Sequence, residues 1–234
     1  MESIDKVRGT FEKRLADTPK AAVPSAVIKR LPRYHRYLGD LLADGRLRIS
    51  SAELSKIMGV TASQIRQDLN CFGGFGQQGY GYNIKYLYGK ISELLGVSEG
   101  YTAVIVGAGN LGRALAATRM FERRGVSRLA LFDVDESIIG TEIYGIKVYS
   151  IDELYDFCRR ESVDIGVLTV PKDAAEAVAL ELVRAGVRGI WNFANMELAL
   201  EDKSVIVENI HLGDSLMTLC YEIKSRERES EGKK

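Results

Sequence analysis

Two rhythms of apolar residues divide the chain. Up to about residue 95, apolar residues recur at three- and four-residue spacing, as in amphipathic helices. From Tyr101 onward, short apolar runs alternate with helix-length segments, which is the pattern of parallel βα units. The expected strands are residues 103–106, 129–132, 165–170, 189–193 and 205–207, and the expected helices are residues 114–124, 151–160, 174–185 and 211–228. We therefore expect a mixed α/β protein with a helical first part.

The first part contains two short helix signals in succession. Ser50 and Glu53 have the spacing of a capping box, and Gly59 suits the left-handed residue that ends such a helix. The same signature returns at Thr61 and Gln64, which predicts a second helix over residues 62–70. Five glycines interleaved with aromatic residues follow in residues 71–83 and predict a hairpin. Two capped helices and a hairpin indicate a winged helix-turn-helix.

A glycine motif opens the second part. After the strand 103–106 the chain reads Gly107, Ala108, Gly109, Asn110, Leu111 and Gly112. A helix is expected after the motif, and Asp133 follows Gly112 by 21 residues at the end of the next strand. This context is typical of a dinucleotide-binding Rossmann unit, in which the carboxylate accepts hydrogen bonds from the ribose. No arginine follows Asp133 directly, so NAD(H) is favoured over NADP(H). The alternative is a glycine-rich turn with an incidental aspartate.

Charge separates the two parts, although 32 basic residues balance 32 acidic ones overall. Residues 1–95 carry 15 basic and 9 acidic residues, whereas residues 96–234 carry 17 and 23. A basic first part favours contact with the phosphates of DNA, and the second short helix is expected in a major groove. The candidates for base or phosphate contact are Ser63, Gln64, Arg66, Gln67, Lys29, Arg30, Arg33, Arg46 and Arg48, with Gln77, Gln78 and Tyr80 at the hairpin tip. The alternative is a helical protein-interaction domain with a solvated charged face.

Candidates for catalysis are few. A hydride-transfer enzyme usually needs an acid or base near the nicotinamide, and the chain has two histidines, His35 and His211. Tyr86 and Lys90 have the spacing of a short-chain dehydrogenase pair but precede the glycine motif. After Gly96 no length remains for a substrate domain. We expect a sensor and not an enzyme; a small NAD-dependent dehydrogenase or a CoA-ligase-like nucleotide-binding subunit is the alternative.

Cellular location is expected to be the cytoplasm. Three widely spaced cysteines, Cys71, Cys158 and Cys220, form no CxxC motif, which disfavours a disulfide framework and a zinc site. The N-terminus is charged and lacks an apolar signal stretch, and no apolar run approaches the ~20 residues of a membrane span. We expect no membrane partner and no metal.

Taken together, these motifs resemble the Rex family of redox-sensing transcriptional repressors. The resemblance runs from about Val23 to Tyr221. It is carried by residues 23–24 with Arg36, and by residues 61–76, 79–82, 106–112, 132–135, 168–171, 192–194 and 207–209.

The resemblance implies a homodimer in which a C-terminal helix is exchanged between subunits. Such repressors bind a palindromic operator in double-stranded DNA when NAD⁺ is abundant and leave it when NADH binds. The nicotinamide side of the nucleotide would face Thr169, Val170, Pro171, Asn192 and Phe193. Gly107–Gly112 would hold the pyrophosphate and Asp133 the ribose, while Arg66, Gln67, Gln78 and Tyr80 would face the operator.

Two positions depart from the family pattern. Some members have an aspartate where this chain has His211, and that aspartate can pair with the arginine corresponding to Arg36. They also carry an aromatic residue at the position of Thr118. Asp214, one turn further on, could substitute for the missing carboxylate; the alternative is that His211 only starts a helix.

Four segments follow from these patterns. Residues 1–22 form a polar extension, residues 23–95 a winged-helix DNA-binding domain, residues 96–208 a Rossmann NAD(H)-binding domain, and residues 209–234 a swapped helix and tail. The predicted function is a repressor that binds its operator when NADH is low and is released by NADH.

Overall fold

The computed structural model describes residues 23–71, 76–77 and 81–231. The polar extension, Gln78 and Tyr80 lie outside these residues. The chain divides into two compact units between Ser98 and Glu99, called here the N-terminal unit and the nucleotide unit.

The N-terminal unit is helical, with a small antiparallel sheet. Its helices are α1 (Ser25–Ile28), α2 (Leu31–Ala43), α3 (Ser51–Met58), α4 (Ala62–Asn70) and α5 (Ile84–Leu94). Its strands are β1 (Arg48–Ile49), β2 (Gly76–Gln77) and β3 (Gly81–Asn83), in the order β1-β3-β2. Strands β2 and β3 pair as in the expected hairpin, and β1 pairs with the opposite edge of β3.

Local signals set both ends of α3 as predicted, whereas at α4 only half of the predicted capping box forms. Ser50 and Glu53 form a complete capping box at α3, and Gly59 ends that helix with a φ of 65°. Pro32 lies in the first turn of α2, where its missing N–H removes no helical hydrogen bond. At α4, Thr61 caps the helix through Gln64 N, but the Gln64 side chain turns away to Asp68 and does not close a second capping box.

The nucleotide unit is built on a seven-stranded sheet in the order β10-β9-β8-β4-β5-β7-β6. The strands are β4 (Tyr101–Val106), β5 (Val126–Asp133), β6 (Glu142–Ile143), β7 (Ile146–Ser150), β8 (Ile165–Leu168), β9 (Gly189–Asn192) and β10 (Ile206–Asn209). All neighbours are parallel except β6, which is antiparallel to β7. Because β5 and β8 flank β4 on opposite sides, the chain reverses its direction of sheet growth at β4. Ligands bind at such a point in open α/β sheets.

Helices cover both faces of this sheet. Helix α6 (Asn110–Ala117) packs in the apolar cluster on one face, and α7 (Leu154–Glu161) and α8 (Lys172–Arg184) pack in the cluster on the other. The long C-terminal helix α9 (Leu212–Glu231) is largely exposed. The core has two sides because neighbouring residues of β4 point to opposite faces. Val104 and Val106 pack in one apolar cluster, and Ile105 packs in the other.

One helix of this unit was predicted with wrong bounds, and two of its strands were not predicted. The helix expected over residues 114–124 begins four residues earlier and ends at Ala117, because Thr118 takes an extended conformation. A short 3₁₀ turn, Glu122–Arg124, occupies the end of the predicted span. Strands β6 and β7 were not predicted; they are joined by Tyr144 and Gly145, both at positive φ.

Candidate nucleotide site and nucleic-acid interface

The glycine loop between β4 and α6 is shaped by two close backbone contacts. Gly107 has a φ of +97°, and a Cβ there would lie 2.7 Å from the carbonyl oxygen of Thr169. A Cβ on Gly112 would lie 1.8 Å from the carbonyl oxygen of Gly107. A side chain at either position would collide with the backbone, so the close approach of these segments requires glycine at both.

Gly109 faces open space instead. A Cβ built there has no atom within 4 Å, and Gly109 caps α6 without a side-chain hydrogen bond. The first turn of α6, from Asn110 and Leu111 onward, carries the amides that a helix leaves without an intrahelical partner. Open space before these amides fits a pyrophosphate, since a helix N-terminus attracts anions.

Asp133 lies at the carboxyl end of β5, beside this loop. Its Oδ2 accepts a hydrogen bond of 2.5 Å from Ala108 N, and its Oδ1 accepts from Val134 N at 2.7 Å and Asp135 N at 3.0 Å. The side chain is thus held by three amides next to the expected anion position. A carboxylate in this place fits a ribose and disfavours a 2′-phosphate by charge repulsion. The contact with Ala108 was not foreseen.

Arg113 is a second side chain at the loop that sequence reasoning missed. Its Nε donates to the carbonyl oxygen of Ala108 at 2.7 Å, so Asp133 and Arg113 hold the two polar groups of Ala108 from different elements. A charged residue one position after the third glycine was the available signal.

The segment after β8 supports the loop more than it faces solvent. Thr169 donates its hydroxyl towards the carbonyl oxygens of Gly107, at 2.7 Å, and Val106, at 3.0 Å. Val170 is half-buried, and Pro171 is exposed at the N-terminus of α8. Thr169, one of the five residues predicted at the nicotinamide side, therefore uses its side chain to fix the glycine loop.

Asn192 differs most from its expected role. It is fully buried, and its Nδ2 donates to Met196 O at 3.0 Å and to Asn209 Oδ1 at 2.8 Å, while its Oδ1 accepts from Ala194 N. All its polar atoms are used inside the protein because Asn209 lies opposite it on β10. Its side chain holds the ends of β9 and β10 together and does not face a ligand here.

Phe193, the other residue predicted beside the nicotinamide, is half-buried. Its ring lies 4.7 Å from that of Trp191, edge to face, in the apolar cluster that contains Ile105 and Leu131. It places an aromatic surface at the carboxyl end of β9.

The exposed face of α4 is polar. Ser63, Arg66, Gln67 and Asn70 recur at helical spacing and are exposed, whereas Ile65 and Leu69 are buried in the core. Arg66 Nη1 is 3.2 Å from Ser51 Oγ. This face can offer donors and acceptors to base edges. Asn70 was not predicted, although its spacing from Ser63 and Gln67 was visible.

Asp68, on the other side of α4, is fully buried. It accepts hydrogen bonds from Arg30, Tyr34 and Gln64. Gln64, predicted to contact DNA, thus uses its amide group inside the unit. The i,i+4 spacing of Gln64 and Asp68 was compatible with this bond, whereas no spacing indicated the bonds from Arg30 and Tyr34.

The side chains predicted to bind phosphates differ in whether they already contact other groups of the protein. Lys29 is exposed. Arg33 donates to the carbonyl oxygen of Met58 at the end of α3, where a cation also complements the helix dipole. Arg46 pairs with Glu53 at 2.8 Å. The backbone hydrogen bond from Ser50, with those from Arg46 and the Ser50 hydroxyl, lowers the pKa of Glu53 to about 2.

His35 packs against α5 within the N-terminal unit. His35 stacks on Tyr88 at 4.4 Å and lies 3.0 Å from Ser92 Oγ. In the described residues no group of three His, Cys, Asp or Glu could hold a metal ion. None of the helices described is long and apolar enough to cross a membrane.

Comparison with known proteins covers both units. The family model "Putative DNA-binding protein N-terminus" matches residues 22–70, and the model "CoA binding domain" matches residues 98–196. The redox-sensing transcriptional repressor Rex of Clostridium botulinum (strain Eklund 17B / Type B) is 53% identical over 201 residues, which cover 86% of this chain and 95% of that protein.

The chain belongs to the Rex family of redox-sensing transcriptional repressors.

Other members agree. The Rex repressor of Thermoanaerobacter sp. (strain X514) is 51% identical over 208 residues, covering 89% of this chain and 92% of its own. Among solved structures, RSP, a Rex-family repressor, matches with a TM-score of 0.83 at 47% identity, covering 92% of this chain and all of its own. RSP in complex with β-NAD⁺ and operator DNA matches with a TM-score of 0.82 at 49% identity, covering 91% and 98%.

The resemblance to the Rex family and the α/β fold with a DNA-binding N-terminal domain are therefore confirmed. The named relatives are repressors, in agreement with the prediction that the chain is not an enzyme. Exchange of the C-terminal helix between Rex subunits stays a prediction here.

The two departures from the Rex pattern, His211 and Thr118, lie in the nucleotide unit with Asp214, whereas Arg36 lies in the N-terminal unit. His211 Nε2 is 3.0 Å from Glu197 Oε1, just before α9, and Asp214 is exposed in the first turn of α9. Thr118 Oγ1 accepts a hydrogen bond from Met120 N at the end of α6. Arg36, in the N-terminal unit, is exposed and lies over the ring of Tyr37. His211 thus has a carboxylate partner that sequence reasoning did not find.

Proposed function

We propose that this chain is an NADH-released transcriptional repressor, which binds an operator in double-stranded DNA when NADH is low. One observation carries the proposal. The same chain contains a helix with an exposed polar face, α4, and a glycine loop that opens on the N-terminus of another helix, α6. RSP, which is similar over both units, has been solved with β-NAD⁺ and operator DNA together, and with β-NADH.

The nucleotide would be NAD(H). Gly107–Gly112 and the first turn of α6 would hold the pyrophosphate, and Asp133 would accept from the adenosine ribose. Bound there, the nucleotide supplies a ring whose charge differs between its oxidised and reduced forms. Phe193 and Val170 offer this ring an apolar surface, which costs more to enter for a charged ring than for a neutral one.

The DNA would be contacted through α4, with Ser63, Arg66 and Gln67 at base edges and Lys29 on a phosphate. Gln78 and Tyr80 stay predicted contacts of the hairpin. Residues 23–95 would form the DNA-binding domain, residues 96–208 the nucleotide-binding domain and residues 209–234 the exchanged tail. A repressor of this kind works in the cytoplasm, beside DNA and the NAD(H) pool.

A homodimer would provide two such helices for a palindromic operator. The support comes from α9, which exposes Leu212, Leu216, Leu219 and Ile223 at four-, three- and four-residue spacing. An apolar helical stripe of this length is typically buried from solvent by packing against another protein surface. A second copy of the chain, exchanging the same helix, would cover it.

Release requires that the reduced nucleotide stabilise the dimer that cannot bind DNA. A ligand that binds both forms of the dimer equally shifts nothing. A shift from 1:99 to 99:1 needs about 5.5 kcal/mol of differential binding, which two sites per dimer would share. We expect Arg36, Thr118, His211 and Asp214, the positions compared with the Rex pattern above, to take part in this switch.

Fluorescence anisotropy tests this function. A labelled duplex carrying a palindrome selected from random DNA in the presence of NAD⁺ is titrated with protein at several NADH:NAD⁺ ratios and constant total nucleotide. We expect the affinity to fall steeply as the ratio rises, and NADPH to have little effect because of Asp133. Affinity that ignores the ratio would remove the sensing role, and selection that enriches no sequence would remove the operator.

A further inference from the structure

Among the residues that the structure describes, Asp68 is the one fully buried side chain of the acidic and basic residue types; the amide Asn192 is also fully buried. Asp68 lies in α4, the helix proposed to read DNA, but on the side opposite to the exposed polar face. A buried carboxylate costs several kcal/mol unless donors satisfy it, so its partners define what it does.

Four hydrogen bonds satisfy this carboxylate. Arg30 donates twice, from Nε to Oδ2 and from Nη2 to Oδ1, both at 2.7 Å. Tyr34 donates its phenolic hydroxyl to Oδ2 at 2.9 Å, and Gln64 donates from Nε2 to Oδ1 at 2.8 Å. Burial alone would raise the pKa of Asp68, but the hydrogen bonds from Arg30, Gln64 and Tyr34 outweigh burial and hold this pKa below its ordinary value. The group is therefore ionised at neutral pH.

The partners come from elements that flank the proposed interface. Arg30 occupies the position before the first residue of α2 and directly follows Lys29, the exposed cation expected on a phosphate. Gln64 lies in the first turn of α4, next to Ser63 on the exposed face. The carboxylate thus ties the phosphate-contacting segment to the base-reading helix, across 38 residues of sequence.

Stability alone does not account for this arrangement. Replacing a buried ion pair by apolar residues of similar volume is often neutral or stabilising, and α4 is already anchored by the buried Ile65 and Leu69. The two-pronged contact with Arg30 adds direction, because a guanidinium fork fixes the carboxylate plane. It also neutralises Arg30, whose charge would otherwise attract any DNA sequence.

We propose that Asp68 is a positioning residue for sequence-specific DNA recognition. It orients α4 against Arg30, and its carboxylate neutralises the positive charge of that arginine. The inference rests on the proposed DNA-binding role. It predicts that losing the carboxylate harms the discrimination between sequences more than it harms binding to DNA as such.

The test compares Asp68→Asn with Asp40→Asn, a control that removes the same charge at an exposed site of α2. Affinity is measured by anisotropy, with NAD⁺ present, for the selected operator and for a scrambled duplex of equal length. For Asp68→Asn we expect operator affinity to fall at least tenfold, while affinity for the scrambled duplex stays equal or rises. Asp40→Asn should leave the ratio of the two affinities unchanged.

Arg30→Lys provides a second variant, which keeps the positive charge but loses the fork. We expect it to lower the operator-to-scrambled ratio at least threefold with an unchanged far-UV circular dichroism spectrum. If Asp68→Asn does not fold, this variant decides alone. A ratio equal to wild type in the folded variant would overturn the positioning role. If wild-type protein itself prefers no sequence, the proposed function fails instead, which separates the two failures.

Discussion

The candidate site of the N-terminal unit is built from side chains, whereas that of the nucleotide unit is built from backbone groups. The N-terminal unit presents side chains from one face of α4 and orients them through a buried charge, Asp68. The nucleotide unit presents backbone, since its loop depends on Gly107 and Gly112 having no side chain and on the amides of α6 being open. Substituting single side chains on the exposed face of α4 should therefore alter DNA recognition step by step. Nucleotide binding should instead be lost mainly when a glycine of the loop is replaced by a residue with a side chain.

Gly112→Ala should have the largest effect, because its Cβ would lie 1.8 Å from a carbonyl oxygen that cannot move without breaking the loop. We expect the nucleotide unit to lose more than ~3 kcal/mol of unfolding free energy, at the upper end for overpacking. The single tryptophan, Trp191, lies in β9 and reports on this unit during urea unfolding. Unchanged stability would show that the loop is softer than the contact implies.

Arg66→Ala should remove about 1–3 kcal/mol of operator affinity if this side chain reads a base. Anisotropy with the selected operator measures it. Arg159→Ala, an exposed arginine of α7 in the nucleotide unit, is the matched control and should change nothing. Equal losses from both variants would mean that overall charge, and not the face of α4, decides binding.

Gly109→Ala should separate folding from ligand binding within the same loop. Its Cβ meets no atom within 4 Å, so stability should stay within ~0.5 kcal/mol of wild type. NADH affinity should fall at least tenfold, about 1.4 kcal/mol, because the methyl group occupies the space expected for the pyrophosphate. Fluorescence titration of NADH measures this loss, and full affinity would place the nucleotide elsewhere.

Glu53→Gln should have the smallest effect, confined to an acid window. The variant keeps a capping-box acceptor but loses the charge. Since the folded-state pKa of Glu53 is lowered to about 2, its contribution is complete above the unfolded pKa of roughly 4.3 and disappears as the pH falls towards 2. Urea unfolding at pH 6 and pH 3 should show a deficit for the variant that shrinks at pH 3. An equal deficit at both values would contradict the ionic contribution.

Sequence reasoning succeeded where structure is decided within a few residues. Ser50, Glu53, Gly59 and Thr61 cap their helices as predicted because each partner lies at most four positions away. The glycine motif was also readable, since its meaning depends on the strand before it and the helix after it.

Sequence reasoning failed where partners are distant. The pairing of Asp68 with Arg30 spans 38 residues, and that of Asn192 with Asn209 spans 17. No spacing rule connects such positions; only the packed fold brings them together. The wrong helix end at Thr118 has a local cause, an extended backbone, that apolar periodicity does not detect.

The contrast between Gly109 and Gly112 has a genetic consequence. A single-base change that replaces a glycine always adds a side chain, so neither position can vary conservatively. At Gly112 we expect such a change to destabilise the nucleotide unit and so to lower the amount of folded repressor. At Gly109 we expect a folded protein that binds DNA but no longer binds NADH, so its target genes stay repressed at any NADH:NAD⁺ ratio. Two codons three apart thus separate absence of control from permanent repression.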